Sequence, residues 1–202
     1  MGRKSLKDVR RQEIVQAFYT IADAQGLHNT SIAMIAEEMD VNPSLILHYF
    51  KSKDELLLSL IDYILDKYLN IYRVNTDLTL IEQLEEMLDN LFSTKWDTLV
   101  SDHVYYSCYT MIFRDPVVRK KYKQLHDSLR VSLKEQLAQA KAAGIISVED
   151  PEMTAKIIYT VLEGAYYYIC MEPSKQKRQE IMKQYKQHAL QVLGMNYARF
   201  QE

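Results

Sequence analysis

The stretch at residues 30–53, TSIAMIAEEMDVNPSLILHYFKSK, constrains the fold of this chain more than any other. Its first half carries an apolar stripe at the spacing i, i+3, i+4 and i+7, which predicts an amphipathic helix made by Ile32, Ile35, Ala36 and Met39. A corner at Asp40 follows, where aspartate tolerates left-handed backbone better than most residues do. Asn42 then supplies a good N-cap, and Pro43 occupies the favoured first position of a second helix.

The second helix has one inward face and one outward face. Ile46 and Phe50 share the inward side, and the rest of the helix is left to face outward: Asn42, Pro43, Ser44, Leu45, Leu47 and His48. A helix of under three turns is not stable alone, so it depends on the helix before it. Such a pair is typical of a helix-turn-helix, which places its second helix in the DNA major groove.

The flanking segments complete a small head. Residues 9–25 predict a first helix, ended by Gly26, with a core stripe of Ile14, Phe18, Ile21 and Ala22. Ser52 and Glu55 predict a capping box at the start of a long helix that reaches Tyr72. Lys53 lies in its first turn, where a cation is unfavourable unless an anion such as a DNA phosphate is near.

Charge and composition agree with a DNA-binding helical protein. The net charge is −2, but the first eleven residues hold five cations, opposed only by Asp8: Arg3, Lys4, Lys7, Arg10 and Arg11. A basic arm of this kind can neutralise phosphates or lie in a minor groove, and a solvated tail is the alternative. A hydrophobic content of 48% with only four prolines and five glycines indicates a mostly helical chain. The helical stretches along the sequence, among them residues 102–113 and 117–143, predict an all-α chain of about nine helices.

Residues 150–171 predict the most informative helix of the body. One apolar face belongs to the domain core, and a second face consists of Ile157, Val161, Gly164 and Tyr168. A helix with two apolar faces needs two burial partners, so the second face predicts a homodimer interface.

The head closely resembles the TetR family of transcriptional repressors. The resemblance rests on the order T-S-I-x-x-I-A, then a turn and Val41, then S-L-I-L-H-Y-F-K-S-K-D-E-L, and it covers about residues 8–68. The sequence departs from the pattern at Asp40 (usually Gly), at Leu47 (often Tyr) and at Ala33-Met34 (usually a polar pair). The resemblance implies a DNA-binding domain over residues 1–52, and a dimerisation and ligand-binding domain over residues 53–202.

The resemblance also assigns roles at double-stranded DNA. Pro43, Ser44 and Leu47 are expected to face bases, and Leu45 lies on the same interface. The expected phosphate contacts are Thr30, Asn42, His48, Tyr49 and Lys53. The alternative is that the side chain of Tyr49 lies partly in the core and that His48 makes no contact with DNA.

The resemblance implies a small-molecule effector site in a body rich in tyrosine, with 15 Tyr against five Phe in the chain. Its candidate residues are Trp96, Tyr105, Tyr109, Phe113, Tyr159, Glu163, Tyr166 and Tyr167. Aromatic rings with a carboxylate suit a cationic or amphipathic ligand, and the alternative is that the rings fill core and interface. Glu163 has three open roles: pairing across a dimer, binding ligand or reaching solvent.

Several other classes of protein are disfavoured. The histidines and the isolated Cys108 and Cys170 match no metal spacing, so we expect no metal and no cofactor, and we interpret both cysteines as buried thiols. The N-terminus lacks the apolar core of a signal peptide, and the apolar run at 157–171 is too short to span a bilayer, so a cytoplasmic location is expected. Catalytic motifs and phosphate loops are missing, which disfavours an enzyme. A helical dimeric adaptor without DNA binding stays open as an alternative.

Overall fold

The structure is a computed structural model, and it describes residues 5–71 and 73–195. All regular secondary structure in these residues is helical, which confirms the predicted all-α class. The helices are α1 Leu6–Gln25, α2 Ile32–Glu38, α3 Pro43–Tyr49, α4 Lys53–Ile71, α5 Leu80–Leu91, α6 Trp96–Leu99, α7 Asp102–Tyr109, a 3-10 helix Thr110–Phe113, α8 Pro116–Ala142, α9 Pro151–Ile169 and α10 Lys175–Val192.

Two features of this order differ from the sequence prediction. The short helix α6 has no predicted counterpart. The helix predicted over residues 102–113 ends at Tyr109 and tightens into the 3-10 turn, where the amides of Arg114 and Asp115 both donate to the carbonyl of Met111. The predicted end of the fourth helix, Tyr72, lies outside the described residues.

Local capping chemistry sets the ends of the helices in the head. Ser5 and Asp8 form a capping box, so α1 begins at Leu6 rather than at the predicted Val9. Asp40 has a φ of 52°, the left-handed conformation anticipated for the corner. The Oδ1 atom of Asn42 accepts a hydrogen bond of 2.9 Å from the amide of Ser44, which confirms the predicted cap of α3.

The chain divides into two compact units. The first holds the chain up to Lys67 together with Val100–Lys123, and the second holds Tyr68–Leu99 and the chain from Gln124 onward. In the first unit five of the predicted core residues of the head are at most 1% exposed: Ile14, Phe18, Ile35, Ile46 and Phe50. Burying such a side chain stabilises a fold by about 1.5–3 kcal/mol, which holds a seven-residue α3 that would not be helical alone.

In the second unit α9 packs against α10 and buries one of its two predicted apolar faces. The buried residues of α9 are Ala155, Ile158, Tyr159, Leu162, Ala165 and Ile169. Within the part of the chain that is described, no helix is both long enough and apolar enough to cross a membrane.

Candidate DNA-binding site

The outer face of α3 is the exposed face that the sequence predicted. Asn42, Pro43, Ser44 and His48 are exposed, and so is Leu47, whose exposed fraction of 47% is high for a leucine. The opposite face of the helix is anchored in the core. The result is a short helix that presents small polar groups and one apolar side chain to solvent, as major-groove recognition requires.

The remaining residues at the end of α3 are only partly accessible. Leu45 and Tyr49 are half-buried. The ring of Tyr49 lies edge to face with the ring of His48, with 5.3 Å between their centroids. Tyr49 is therefore partly a packing residue, as the alternative interpretation held, while its neighbour stays on the surface.

Thr30 lies away from the exposed face. Its side chain is 1% exposed, and its hydroxyl donates a hydrogen bond of 3.1 Å to the carbonyl of Gly26. The hydroxyl thus closes the turn between α1 and α2 and is not available to a phosphate, which corrects the expectation for this side chain. Ser31 makes the cap of α2 by accepting from the amide of Met34.

Lys53 is exposed in the first turn of α4, beside two acidic residues. The predicted capping box here is displaced by one residue. Ser52 accepts from the amide of Glu55 at 3.1 Å, but the Glu55 carboxylate accepts from the amide of Lys51 at 2.8 Å instead of from Ser52. The bond from the amide of Lys51 contributes most to lowering the pKa of the Glu55 carboxylate, and the bond from the guanidinium of Arg11 lowers it further.

The basic arm is less uniform than its sequence indicates. Arg3 and Lys4 lie outside the described residues. Lys7 is exposed, and Arg10 forms an ion pair of 2.7 Å with Glu13 one turn along α1.

Arg11 departs from the rest of the arm because it turns inward. Its guanidinium donates to the carbonyl of Tyr49 and to the carboxylate of Glu55, both within the head. Sequence reasoning missed this pair because the two charges are 44 residues apart and follow no local pattern.

The predicted ligand residues divide between the two units. In the first unit Tyr105 and Tyr109 stack with 6.1 Å between ring centroids, and Tyr122 meets Tyr109 edge to face at 5.3 Å. These rings form a packed cluster. Phe113 is 75% exposed, so it lines no interior cavity of its unit. This corrects the prediction that Phe113 lines the effector pocket.

In the second unit Glu163 is the centre of a hydrogen-bonded cluster. Its carboxylate accepts a bond of 2.9 Å from the hydroxyl of Tyr68 and lies 3.9 Å from Nδ1 of His126. That imidazole is 2.7 Å from the hydroxyl of Tyr159, and the ring of Trp96 meets that of Tyr68 at 4.6 Å. The predicted combination of a carboxylate with aromatic rings is therefore present around one side chain.

Two neighbouring tyrosines of α9 differ from this cluster. The hydroxyl of Tyr166 bonds to the carbonyls of Leu91 and Ser93, at 3.0 and 2.7 Å, and so ties α9 to the end of α5. Tyr167 is 62% exposed and points away from the interior. Tyr166 serves packing, and the expectation that Tyr167 lines a pocket is corrected.

The second apolar face of α9 is open. Ile157 is 50% exposed, Val161 40% and Tyr168 58%, and the Cα of Gly164 has open space where a Cβ would stand. Three large apolar side chains and a glycine thus share one exposed stripe.

Family models match both parts of this chain. The model of the tetracyclin repressor-like C-terminal domain matches residues 79–195, more than half of the chain. The chain belongs to the TetR family. The model of bacterial regulatory proteins of the tetR family matches residues 14–60, which contain the helix-turn-helix described above. The chain is therefore a member of a family of DNA-binding transcriptional regulators.

Two curated relatives match a limited share of the chain. The transcriptional regulator BetI of Vibrio atlanticus is 42% identical over 57 residues, which is 28% of this chain and 28% of that protein. BetI of Yersinia pestis is 32% identical over 65 residues, 32% of this chain and 33% of that protein. The chain thus spans about a third or less of the length of these relatives.

Solved structures match over nearly the whole chain. Their sequence identities to this chain are low, so these matches show a similar fold and nothing more. A TetR transcription regulator from Haloarcula marismortui has a TM-score of 0.79 at 21% identity, covering 93% of this chain and 97% of that one. A protein from Saccharomonospora viridis, described as a transcriptional regulator and solved in complex with choline, has a TM-score of 0.70 at 16% identity, covering 94% and 97%.

Proposed function

We propose that this protein is a dimeric repressor that binds a palindromic operator and is released from it by a small molecule. The exposed face of α3, fixed on a fully buried core, is the observation that carries the proposal. Residues 1–52 would bind DNA, and residues 53–202 would dimerise and bind the effector. The proposed site of action is the cytoplasm.

At the operator, Pro43, Ser44 and Leu47 face bases, and the leucine packs on a thymine methyl group. Leu45 supports the same interface from its half-buried position. The phosphate contacts fix the register of the helix on the duplex, and they come from Asn42, His48, Tyr49 and Lys53. Thr30 is left out because its hydroxyl is already bonded.

The open stripe of α9 is the proposed dimer surface. Ile157, Val161 and Tyr168 would meet their symmetry mates, and Gly164 allows the two helices to approach closely. A twofold dimer carries two copies of α3, which suits half-sites about 34–36 Å apart or a multiple of that distance.

The cluster around Glu163 is the proposed effector site, and its ligand class is a small organic cation. A carboxylate attracts such a cation by charge, and the aromatic rings of Trp96, Tyr68 and Tyr159 attract it through their faces. The choline complex of the structural relative from Saccharomonospora viridis supports this class.

Tyr68 lies in α4, the helix that begins directly after the head, so a cation that takes the carboxylate from Tyr68 perturbs that helix. Coupling of this kind is reciprocal, so DNA weakens ligand binding as much as ligand weakens DNA binding.

The proposal is tested with a duplex that the wild-type protein enriches from a random library. Its complex is titrated with choline and, as the matched control, with 3,3-dimethyl-1-butanol, which has the same shape without the charge. We expect choline to release the DNA, the neutral alcohol to leave it bound, and Glu163→Gln to abolish the release. Equal release by both compounds, or release from the Glu163→Gln variant, would reject the cationic site.

A further inference from the structure

We propose that Arg11 is a positioning residue, which orients the recognition helix α3 by joining it to α4, and that it does not touch DNA. This inference rests on the proposed DNA binding. It reverses the role that the basic composition of the N-terminal arm assigns to this arginine. The reason is the direction of the guanidinium, which faces the inside of the head.

The guanidinium contacts four groups at once, the weakest contact being a donation of 3.5 Å from Nη2 to the hydroxyl of Ser59. Nη1 donates to the main-chain carbonyl of Tyr49 and to Oε1 of Glu55 at 3.0 Å, and Nη2 donates to the same carboxylate oxygen at 3.0 Å. The plane of the group lies over the ring of Phe50, with 4.0 Å from Cζ to the ring centroid. The side chain of Arg11 is 28% exposed, so these bonds are partly shielded from water.

The position of these contacts along the chain gives them their significance. Tyr49 is the last residue of α3, where the carbonyls have no partner inside the helix. Arg11 satisfies one of them from α1 and holds Glu55, in the first turn of α4, through the same group. Glu55 in turn accepts from the amide of Lys51 in the connection between α3 and α4. The two ends of that connection are thus fixed to each other by one guanidinium.

A lysine at this position would keep the charge and lose the geometry. Its single ammonium group lacks the planar fork that serves a carbonyl and a carboxylate together and that stacks on an aromatic ring. The C-terminal end of α3 would then be free to tilt. A tilted α3 would misplace the side chains that contact base edges, so affinity for the specific sequence would fall. Attraction to phosphates is less directional, so affinity for random DNA would fall less.

The test compares Arg11→Lys with Arg10→Lys, since Arg10 forms an ion pair along α1 with Glu13. Affinity is measured for the library-enriched duplex and for a random duplex over a range of salt, on protein shown by circular dichroism to be folded. For Arg11→Lys we expect a loss of at least about tenfold on the enriched duplex, less than about threefold on the random one, and an unchanged salt slope. For Arg10→Lys we expect the ratio of the two affinities to stay at the wild-type value.

The other outcomes overturn the inference. Wild-type affinity in Arg11→Lys means that the guanidinium positions nothing, and equal losses on both duplexes mean a general role in stability or in phosphate binding. Glu55→Gln is a second variant in case the first fails to fold, and it should reproduce the selective loss, with the double variant little worse than either single one. A wild-type protein that enriches no duplex would reject the proposed function itself, whereas the results above concern Arg11 alone.

Discussion

Lys53 is the residue whose proposed DNA role is easiest to isolate, because it is exposed at the start of α4 and forms no ion pair within the described part of the chain. Lys53→Ala should weaken binding to all sequences similarly and lower the salt slope by about one unit, since one phosphate contact is lost. Lys183→Ala, an exposed lysine of α10, is the control and should change neither quantity. A shift in sequence preference, or an unaltered slope in Lys53→Ala, would remove Lys53 from the phosphate contacts.

Asp40 turns the chain between α2 and α3 with a φ of 52°, a conformation that glycine adopts freely and alanine does not. We expect Asp40→Gly to be more stable than Asp40→Ala, by about 1 kcal/mol in the free energy of unfolding measured with urea. The alanine variant should also lose DNA affinity only in proportion to its unfolded fraction. An alanine variant as stable as the glycine variant would show that the corner relaxes to another conformation.

At the scale of single residues, the sequence predicted those features that depend on residues nearby in the chain. The cap at Asn42 and the left-handed corner at Asp40 follow from residue chemistry within two or three positions. The inward turn of Arg11 and the bond from Thr30 to Gly26 do not, because each depends on where a folded neighbour places an acceptor. The basic arm therefore contained one residue that only the packed structure separates from the others.

Among the helices, the α8–α9 pair in the second unit is joined by an exposed ion-pair network. The carboxylate of Glu152 in α9 lies 2.8 Å from the ammonium groups of Lys134 in α8 and of Lys156 in α9. The side-chain bond from Lys134, then that from Lys156, lowers the pKa of Glu152 to about 2 from its ordinary 4.5. The network therefore stabilises the fold fully above pH 4.5, and its contribution disappears as the pH falls toward 2.

Glu152→Gln should accordingly melt at a lower temperature than the wild type at pH 7, with the gap closing as the pH falls below about 4.5. Because the group is exposed, the gap is small. Glu135→Gln, an exposed carboxylate of α8, is the control and should show a smaller gap at pH 7. A gap that is constant between pH 7 and pH 3 would contradict the role of the carboxylate.

Helix boundaries show what apolar periodicity can supply. The long helices α4, α8 and α9 were predicted within a few residues because their stripes extend over many turns. The transition at Thr110 to a 3-10 turn was missed, since Tyr and Phe continue the apolar pattern through this segment. The one-turn helix α6 is too short to show any period.

For the whole molecule, the oligomeric state tests directly whether the open stripe of α9 is the dimer surface. If the proposed dimer forms through this stripe, Val161→Glu should convert it into a monomer, because the substitution would bury a charge in a self-complementary apolar contact. Loss of the second head should then weaken binding to a palindromic duplex by about 10²-fold or more. Gln139→Glu adds the same charge on α8 and should leave a dimer, as judged by light scattering. A Val161→Glu protein that is still dimeric would place the interface elsewhere.

The sequence predicted the all-α class and both faces of α9 because each is a repeating pattern of apolar residues. It could not decide which tyrosines gather around Glu163, since that depends on the packing of α4, α8 and α9 in three dimensions. Phe113 and Tyr167 had the right chemistry for a pocket and are exposed, which residue type alone does not indicate.

DNA binding itself is measured most directly with the purified protein and the DNA that flanks its own gene, over a range of salt and with random DNA as competitor. We expect tight binding at a palindrome that resists the competitor and falls as salt rises, since in the proposed complex side chains around α3 contact phosphates while α3 contacts bases. A folded dimer that binds neither this DNA nor any library-enriched duplex, even at low salt, would contradict the repressor and favour a helical adaptor.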